Sequence, residues 1–408
     1  MLCQLPYGDQ SLLSIDPPAE AELVDFSTPQ GHPLEDPATA VATALGSPRG
    51  FPPLRQAIVP GDRIVVAIDR DVPQLPALVA GIVRTLLSGV TQPEDITLLL
   101  AHGAAGPSPT SLFEADVARA INIAHHDPRD QSGLAYLAAS KEAKPIYVNR
   151  QLFDADLIVP VGCLHPQTAL GYFGCAGGLF PAFSDEATQQ RFRVPGSVDS
   201  QAAHRRRRKE SEEAAWLLGS RFTCQIVPGV GESILHVLAG DVEVVAKLGR
   251  ELCEAAWLYR VPRRASLVVA TIGGGPEQQT WESFARALLA ASTVVAEGGA
   301  IVLCTNLTCA PGPALQQLAK FDDEDERTLR QLQREGSPDA VSAALLWDLR
   351  QRARIYLLSG LDEETVEDLG LGYVSRGEEV NHLCQHHESC ILMADAHRAV
   401  VELAEEEE

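Results

Sequence analysis

Between residues 164 and 183 the chain reads LHPQTALGYFGCAGGLFPAF, directly after the apolar run DADLIVPVG. Glycine admits positive φ and lets the main chain approach another group closely. A glycine-rich loop after a buried strand therefore suits a cofactor or a phosphate, and equally suits close packing against another strand. Gly171, Gly174, Gly177 and Gly178 carry the first reading, with His165 beside them as a potential acid or base. A second cluster, AHHDP, sets His125 and His126 next to Asp127 and an Asp-Pro turn signal. Such a pair can do acid-base work near neutral pH. A third, NHLCQHHESC, holds His382, Cys384, His386, His387 and Cys390 within nine residues. These are zinc or nickel ligand types, although structural zinc sites draw on two separated ligand pairs rather than one short segment. GGGP (273–276) lacks the spacing of a dinucleotide fingerprint, and no GxxxxGK[ST], GxSxG or HExxH occurs.

The elements that must position these residues alternate. GDRIVVAID (61–69), DITLLLAHG (95–103), PIYVN (145–149) and ADLIVPVG (155–162) read as strands, and LPALVAGIVRTLLSGV reads as the first helix between them. A second series begins with SLVVATIGGGP (266–276), GAIVLCTNL (299–307) and RIYLLSG (354–360), with helices between. Alternation of this kind predicts an α/β fold of two α/β domains with parallel-type sheets and an interdomain cleft. The expected division is 1–262, 263–394 and an acidic helical tail at 395–408, with VPRRAS (261–266) as the hinge. In parallel sheets ligands lie beyond the carboxyl ends of strands. The loops DRDVPQ (69–74) and AHGAAGPSPT (101–110), with Asp69, Arg70 and His102, join the glycine loop as candidate site loops.

The 408 residues carry a formal net charge of −22, which opposes nucleic-acid binding because phosphate neutralisation needs a basic face. RRRRK (205–209) is read as a solvated helix face. No apolar run reaches the ~18 to 20 residues of a membrane span. The opening MLCQLPYGDQSLL lacks a basic region followed by an apolar stretch, and the nine cysteines have no framework spacing. The expectation is a cytoplasmic protein with reduced thiols, no leader, and neither a nucleic-acid nor a membrane partner. The five lysines are Lys141, Lys144, Lys209, Lys247 and Lys320, so none lies between 145 and 208.

LPYG (5–8), GDRIVVAIDRDVP (61–73), DITLLLAHGAAGPSPT (95–110), the 154–183 segment, HVLAGD (236–241) and TIGGGP (271–276) come in an order and spacing that resembles the lactate racemase family. Members of that family use a nickel-pincer nucleotide. The resemblance implies two α/β domains around a central site and a 2-hydroxyacid racemase or epimerase. It also implies a cofactor bonded to a lysine as a thioamide, nickel held by the pincer and a histidine, and two histidines as acid and base. Residue by residue the chain departs from this. Ala105 and Gly106 stand where the family has a catalytic histidine and an arginine, and Val72 stands at another arginine position. Gln167 replaces the second catalytic histidine, Gly177 replaces the cofactor lysine, and EATQQRFR lacks the nickel-binding histidine. Arg286 falls at the family's second-domain lysine. His165 lies two residues from the catalytic place, ~6 to 7 Å away on an extended chain, whereas proton transfer needs ~3 Å.

A thioamide needs an amine, and this loop lacks the lysine that would supply it, which argues against covalent cofactor attachment here. The first expectation is a non-racemase binding protein, a pseudoenzyme that takes a small anion, a nucleotide or a protein partner in the interdomain cleft. The second is an active isomerase that holds the nickel-pincer nucleotide non-covalently and works through His102, His125, His126 or His165. Asp69, Arg70, Arg286 and the loop glycines are the binding residues in either case. A third is a zinc- or nickel-binding module at 382–390.

Overall fold

The computed structural model describes residues 2–17, 21–27, 31–104, 109–166, 174–192, 201–320 and 337–404. The chain opens with a hairpin of β1 (Cys3–Tyr7) and β2 (Ser11–Ile15), followed by β3 (Glu22–Phe26). Next come β4 (Ile64–Ile68), β5 (Ile96–Leu100) and β6 (Asn122–His125), an antiparallel hairpin of β7 (Leu134–Ala139) and β8 (Pro145–Asn149), then β9 (Leu157–Cys163), β10 (Phe222–Pro228) and β11 (Ile234–Asp241). The last part holds β12 (Leu258–Val261), β13 (Ala265–Thr271), β14 (Val295–Cys304), β15 (Arg354–Leu358), β16 (Gly372–Val374), β17 (Ser389–Met393) and β18 (Val400–Leu403).

Two six-stranded sheets organise these strands. The first has the order β11-β10-β9-β4-β5-β6 and is parallel except for the β10–β11 pair. The second, β16-β15-β14-β13-β17-β3, is parallel throughout. Every residue of β4 (IVVAI) is buried, as a strand covered on both faces must be. The helix Leu75–Leu87 covers one face of the first sheet with Leu78, Val79, Ile82, Val83 and Leu86, the helical spacing visible in LPALVAGIVRTLL. The α/β class with two sheets therefore stands as expected.

The chain divides differently from a simple break at 262. β3 pairs with β17, and Cys3, Leu5, Leu13 and Ile15 pack on Leu267, Val269 and Val302 of the second sheet. The first 26 residues thus belong with the second sheet. The expected C-terminal helix is also corrected. Val400–Leu403 form β18, parallel to β12, because VVEL next to the exposed edge of LYRV gains a ladder that an isolated acidic helix end lacks. Residues 405–408 lie outside the described residues. One apolar core spans both halves, joining Leu164, Val227 and Leu238 to Trp257, Val268 and Phe284. The domains are therefore seated on shared apolar surface beneath a polar seam.

Each sheet has a topological switch point, where the chain leaves one side of a central strand and returns on the other. In the first sheet it lies between β4 and β9; in the second, between β13 and β17. Crevices beyond the carboxyl ends of such strand pairs are where open α/β sheets bind ligands. Here the two switch points face each other across the seam.

Candidate functional site

The loop after β4 carries Asp69, Arg70 and Asp71, and the end of β9 carries Cys163 and then His165. The first two turns of the helix Trp281–Val294 bring Glu282 and Arg286 from the second domain. All seven line one cleft, which encloses about 470 Å³ including its open mouth. Glu282 joins the two halves, with its carboxylate 2.6 Å from Arg286 Nη2 and 3.5 Å from Arg70 Nη2. Gln278 Nε2 donates to the Asp71 carbonyl at 3.1 Å. Glu232, between β10 and β11, accepts from the Gly275 N–H at 2.8 Å and, through its backbone carbonyl, from Gln74 Nε2 at 3.0 Å.

The loop after β17 closes the seam from below. Asp395 is fully buried and accepts from the N–H groups of Gly231 and Gly273, each at 2.6 Å. Arg398, also buried, donates to the Gly229 carbonyl. Among the described residues four non-glycine residues have positive φ, namely Asp71, Gln74, Ala143 and Asp395, and three of these lie in the seam loops. Such conformations cost of order 1–3 kcal/mol each and cluster at working sites.

Burial dominates the electrostatics. It pushes the Asp69 carboxyl up to about 6, against the pull of the neighbouring Arg70 charge, and raises Asp71 in the same way. It drives His165 down to about 3, helped by Arg286 and Arg398, so the imidazole is neutral across the physiological range. His165 Nδ1 is buried and has no protein partner among the described residues. The Cys163 thiol is raised by burial and points at the Asp71 carbonyl at 3.4 Å, which makes it a poor nucleophile. His165 also walls a second cavity of about 610 Å³, into which Arg208, Glu212 and Arg250 face. Part of the RRRRK run therefore lines a cavity rather than forming only a solvated face.

The structure brings Asp69, Arg70, His165, Gly174, Gly178 and Arg286 together. Gly174 has φ +70, which favours glycine. A Cβ on Gly178 would come within 3.1 Å of Asp69 Oδ2, so this glycine makes room for a carboxylate of the protein itself. Gly177 is buried and does not line the cleft. Gly171, Ala105, Gly106 and Gln167 lie outside the described residues.

The other histidines go elsewhere. His102 and His125 are exposed and line neither cavity. His126 is a packing residue, with Nε2 2.9 Å from the Ser184 carbonyl, Nδ1 3.2 Å from Asn149 and its ring against Phe183. The 382–390 cluster is split by its helix Gly377–Cys384. Cys384 and Cys390 are buried against each other, while His382 and His386 are exposed and stack on one another, with His387 half-buried. No group of three or more metal-ligating side chains forms among the described residues, so the expected metal module at His382, Cys384, His387 and Cys390 does not assemble.

Sequence reasoning missed Glu282, Asp395, His397 and Arg398. Glu282 sits in an ordinary helix start. The other three follow the buried strand SCILM, and a charged tripeptide-scale loop directly after such a strand was the available signal.

Residues 7–203 match the family model of the lactate racemase N-terminal domain. Over 211 residues, 49% of this chain, the sequence is 22% identical to the lactate racemase of Thermoanaerobacterium thermosaccharolyticum, and the match spans about half (48%) of that protein's length. The structure of the lactate racemase apoprotein from the same organism superposes with a TM-score of 0.78 at 18% identity, covering 98% of this chain and 100% of the other. A crystal structure of a Thermotoga maritima protein superposes with a TM-score of 0.64 at 16% identity, covering 92% and 100%. The two superpositions define the shared α/β fold. Residues 7–203 thus resemble the lactate racemase N-terminal domain, and the whole chain shares the fold of the lactate racemase apoprotein.

Proposed function

We propose that this protein is a non-racemase that binds a small, singly charged anion in the interdomain cleft. The observation that carries the reading is the placement of Glu282. Its carboxylate sits between guanidinium groups from opposite domains, in front of His165. A carboxylate of the protein in that place marks where an external one binds, by exchanging with Glu282 on Arg70 or Arg286. The charge balance favours a monoanion over a nucleotide. With Asp69, Asp71, Glu282 and Asp395 beside Arg70, Arg286 and Arg398, a monoanion adds less repulsion than a dianionic phosphate would.

The donor set does not fit the nickel-pincer nucleotide of the family. Gly177 stands at the anchoring lysine position, and 145–208 contains no lysine. EATQQRFR offers no histidine at the nickel-ligand position.

Calorimetric titration of the whole protein with acetate, D-lactate, L-lactate and inorganic phosphate tests this. We expect saturable binding of at least one monocarboxylate, weakened roughly tenfold or more by Arg286→Ala, a loss of about 1.4 kcal/mol, and no interconversion of D- and L-lactate with or without added nickel-pincer nucleotide. Interconversion would replace the proposal with the isomerase reading. Absence of monocarboxylate binding would end it.

A further inference from the structure

The loop Ala394–Ala399 is pinned throughout. Ala394 N donates to Phe26 O at 3.1 Å and Ala396 N to Thr271 O at 2.9 Å. Asp395 receives two N–H groups, and Arg398 reaches Gly229 O. Within this saturated loop one side chain is left over. His397 is 2% exposed, yet neither Nδ1 nor Nε2 has a hydrogen-bond partner among the described residues. The nearest carboxylate, Asp395, is 3.9 Å from Nδ1, beyond hydrogen-bond length, and its two oxygens already accept N–H groups. An unpartnered buried polar group costs about 1–3 kcal/mol, so native structures retain very few of them. Two open nitrogens on one buried ring are therefore a feature to be explained.

His397 stands just beyond the carboxyl end of β17, at the switch point of the second sheet, as His165 stands beyond β9 at the switch point of the first. It lies in the electrostatic neighbourhood of Arg398, Arg286 and His165, the first two of which also act on His165. His165 lines the cleft, and His397 stands behind its wall with both ring nitrogens open, within the electrostatic reach of the same arginines. A neutral imidazole offers one donor and one acceptor, a pairing that suits a ligand oxygen carrying or facing a proton.

We propose that His397 is a ligand-contacting residue of the cleft, supplied by the second domain, and that its imidazole hydrogen-bonds to the small anion held by the arginines. The inference rests on the cleft-binding reading and adds a residue to it. Ligand binding then bridges the two domains through His165 and His397 together.

The test uses the full chain labelled with ¹⁵N-histidine and titrated with acetate and L-lactate. The ring ¹⁵N signals of His397, assigned by their loss in His397→Gln, are expected to shift on saturation. His397→Leu, which keeps the volume and removes both nitrogens, is expected to weaken binding at least tenfold with an unchanged or higher Tm. His397→Gln, which keeps a donor and an acceptor, is expected to stay within about threefold of the native chain. If the native protein binds a probe while the His397 signals stay still, the inference fails and the cleft reading stands, whether or not the leucine variant folds. Moving signals with unweakened binding in the leucine variant would equally overturn the inference. If no probe binds the native protein, both fail.

Discussion

Strand β17 separates two polar segments of similar composition and opposite fate. Before it, His382, His386 and His387 ride on or just after a helix whose apolar side turns Cys384 inward, so the polar side faces water. After it, Asp395, His397 and Arg398 are all buried at the seam between the domains. The difference is one of position relative to the sheet. The helix end packs on the amino end of β17, away from the seam loops. The loop leaves the carboxyl end at a switch point, where a second sheet presents its own loops. Density of ligand-type residues is thus a weaker guide to a site than the end of the strand on which a residue falls.

The largest effect expected from this contrast concerns Asp395. Replacing it with alanine leaves the buried N–H of Gly273 and the part-buried N–H of Gly231 without that acceptor. At about 1–3 kcal/mol for each orphaned group, we expect a loss of about 3 kcal/mol in urea denaturation, against a much smaller loss for Asp395→Asn, which keeps one acceptor. Equal and small losses for both would show that the seam loop is no more constrained than the 382–390 segment.

The acid side of the stability curve gives the next effect. His165 sits near pKa 3 in the folded chain, held there by burial and by Arg286 and Arg398, with Glu282 pulling the other way. An unfolded histidine titrates near ~6.5. The folded form therefore binds fewer protons, its stability is full above pH ~6.5, and stability falls as the pH drops toward 3, by up to ~1.4 kcal/mol per pH unit. His397 contributes in the same direction. Thermal melts of His165→Gln between pH 7 and 4 should show a visibly flatter decline than the native chain. An unchanged slope would mean that the seam admits water and the imidazole is not desolvated.

Much of the first domain could be read from the amino acids, because GDRIVVAID and DADLIVPVG are continuous apolar runs that end in charge, and such runs become buried parallel strands with a site at their ends. Asp69, Arg70 and His165 follow from that rule alone. The second half of the site could not be read so directly. Arg286 is placed by family spacing, but Glu282 meets Arg70 only because the helix start at Thr280 is aimed across the seam, and no local pattern specifies that angle. HRAVVELA has helical composition, and only the free edge of β12 makes VVEL a strand. Both failures arise from partners far away in sequence, which window-based periodicity does not contain.

The smallest effect belongs to the segment that looked most like a metal centre. His382 and His386 are exposed, with their rings tilted against each other at 4.5 Å and His386 Nδ1 2.8 Å from the His382 carbonyl. Surface substitutions of this kind usually change stability by no more than ~0.5 kcal/mol. We therefore expect the double variant His382→Ala/His386→Ala to match the native chain within that margin and to carry the same zinc and nickel content by elemental analysis. Cys384 and Cys390 face the core with Cys304, Leu392 and Val380 rather than the histidines, so no rotation of the exposed rings alone can build a four-ligand set. A stoichiometric metal lost on this double substitution would require the helix end to unwind, and would turn the comparison of the two segments around.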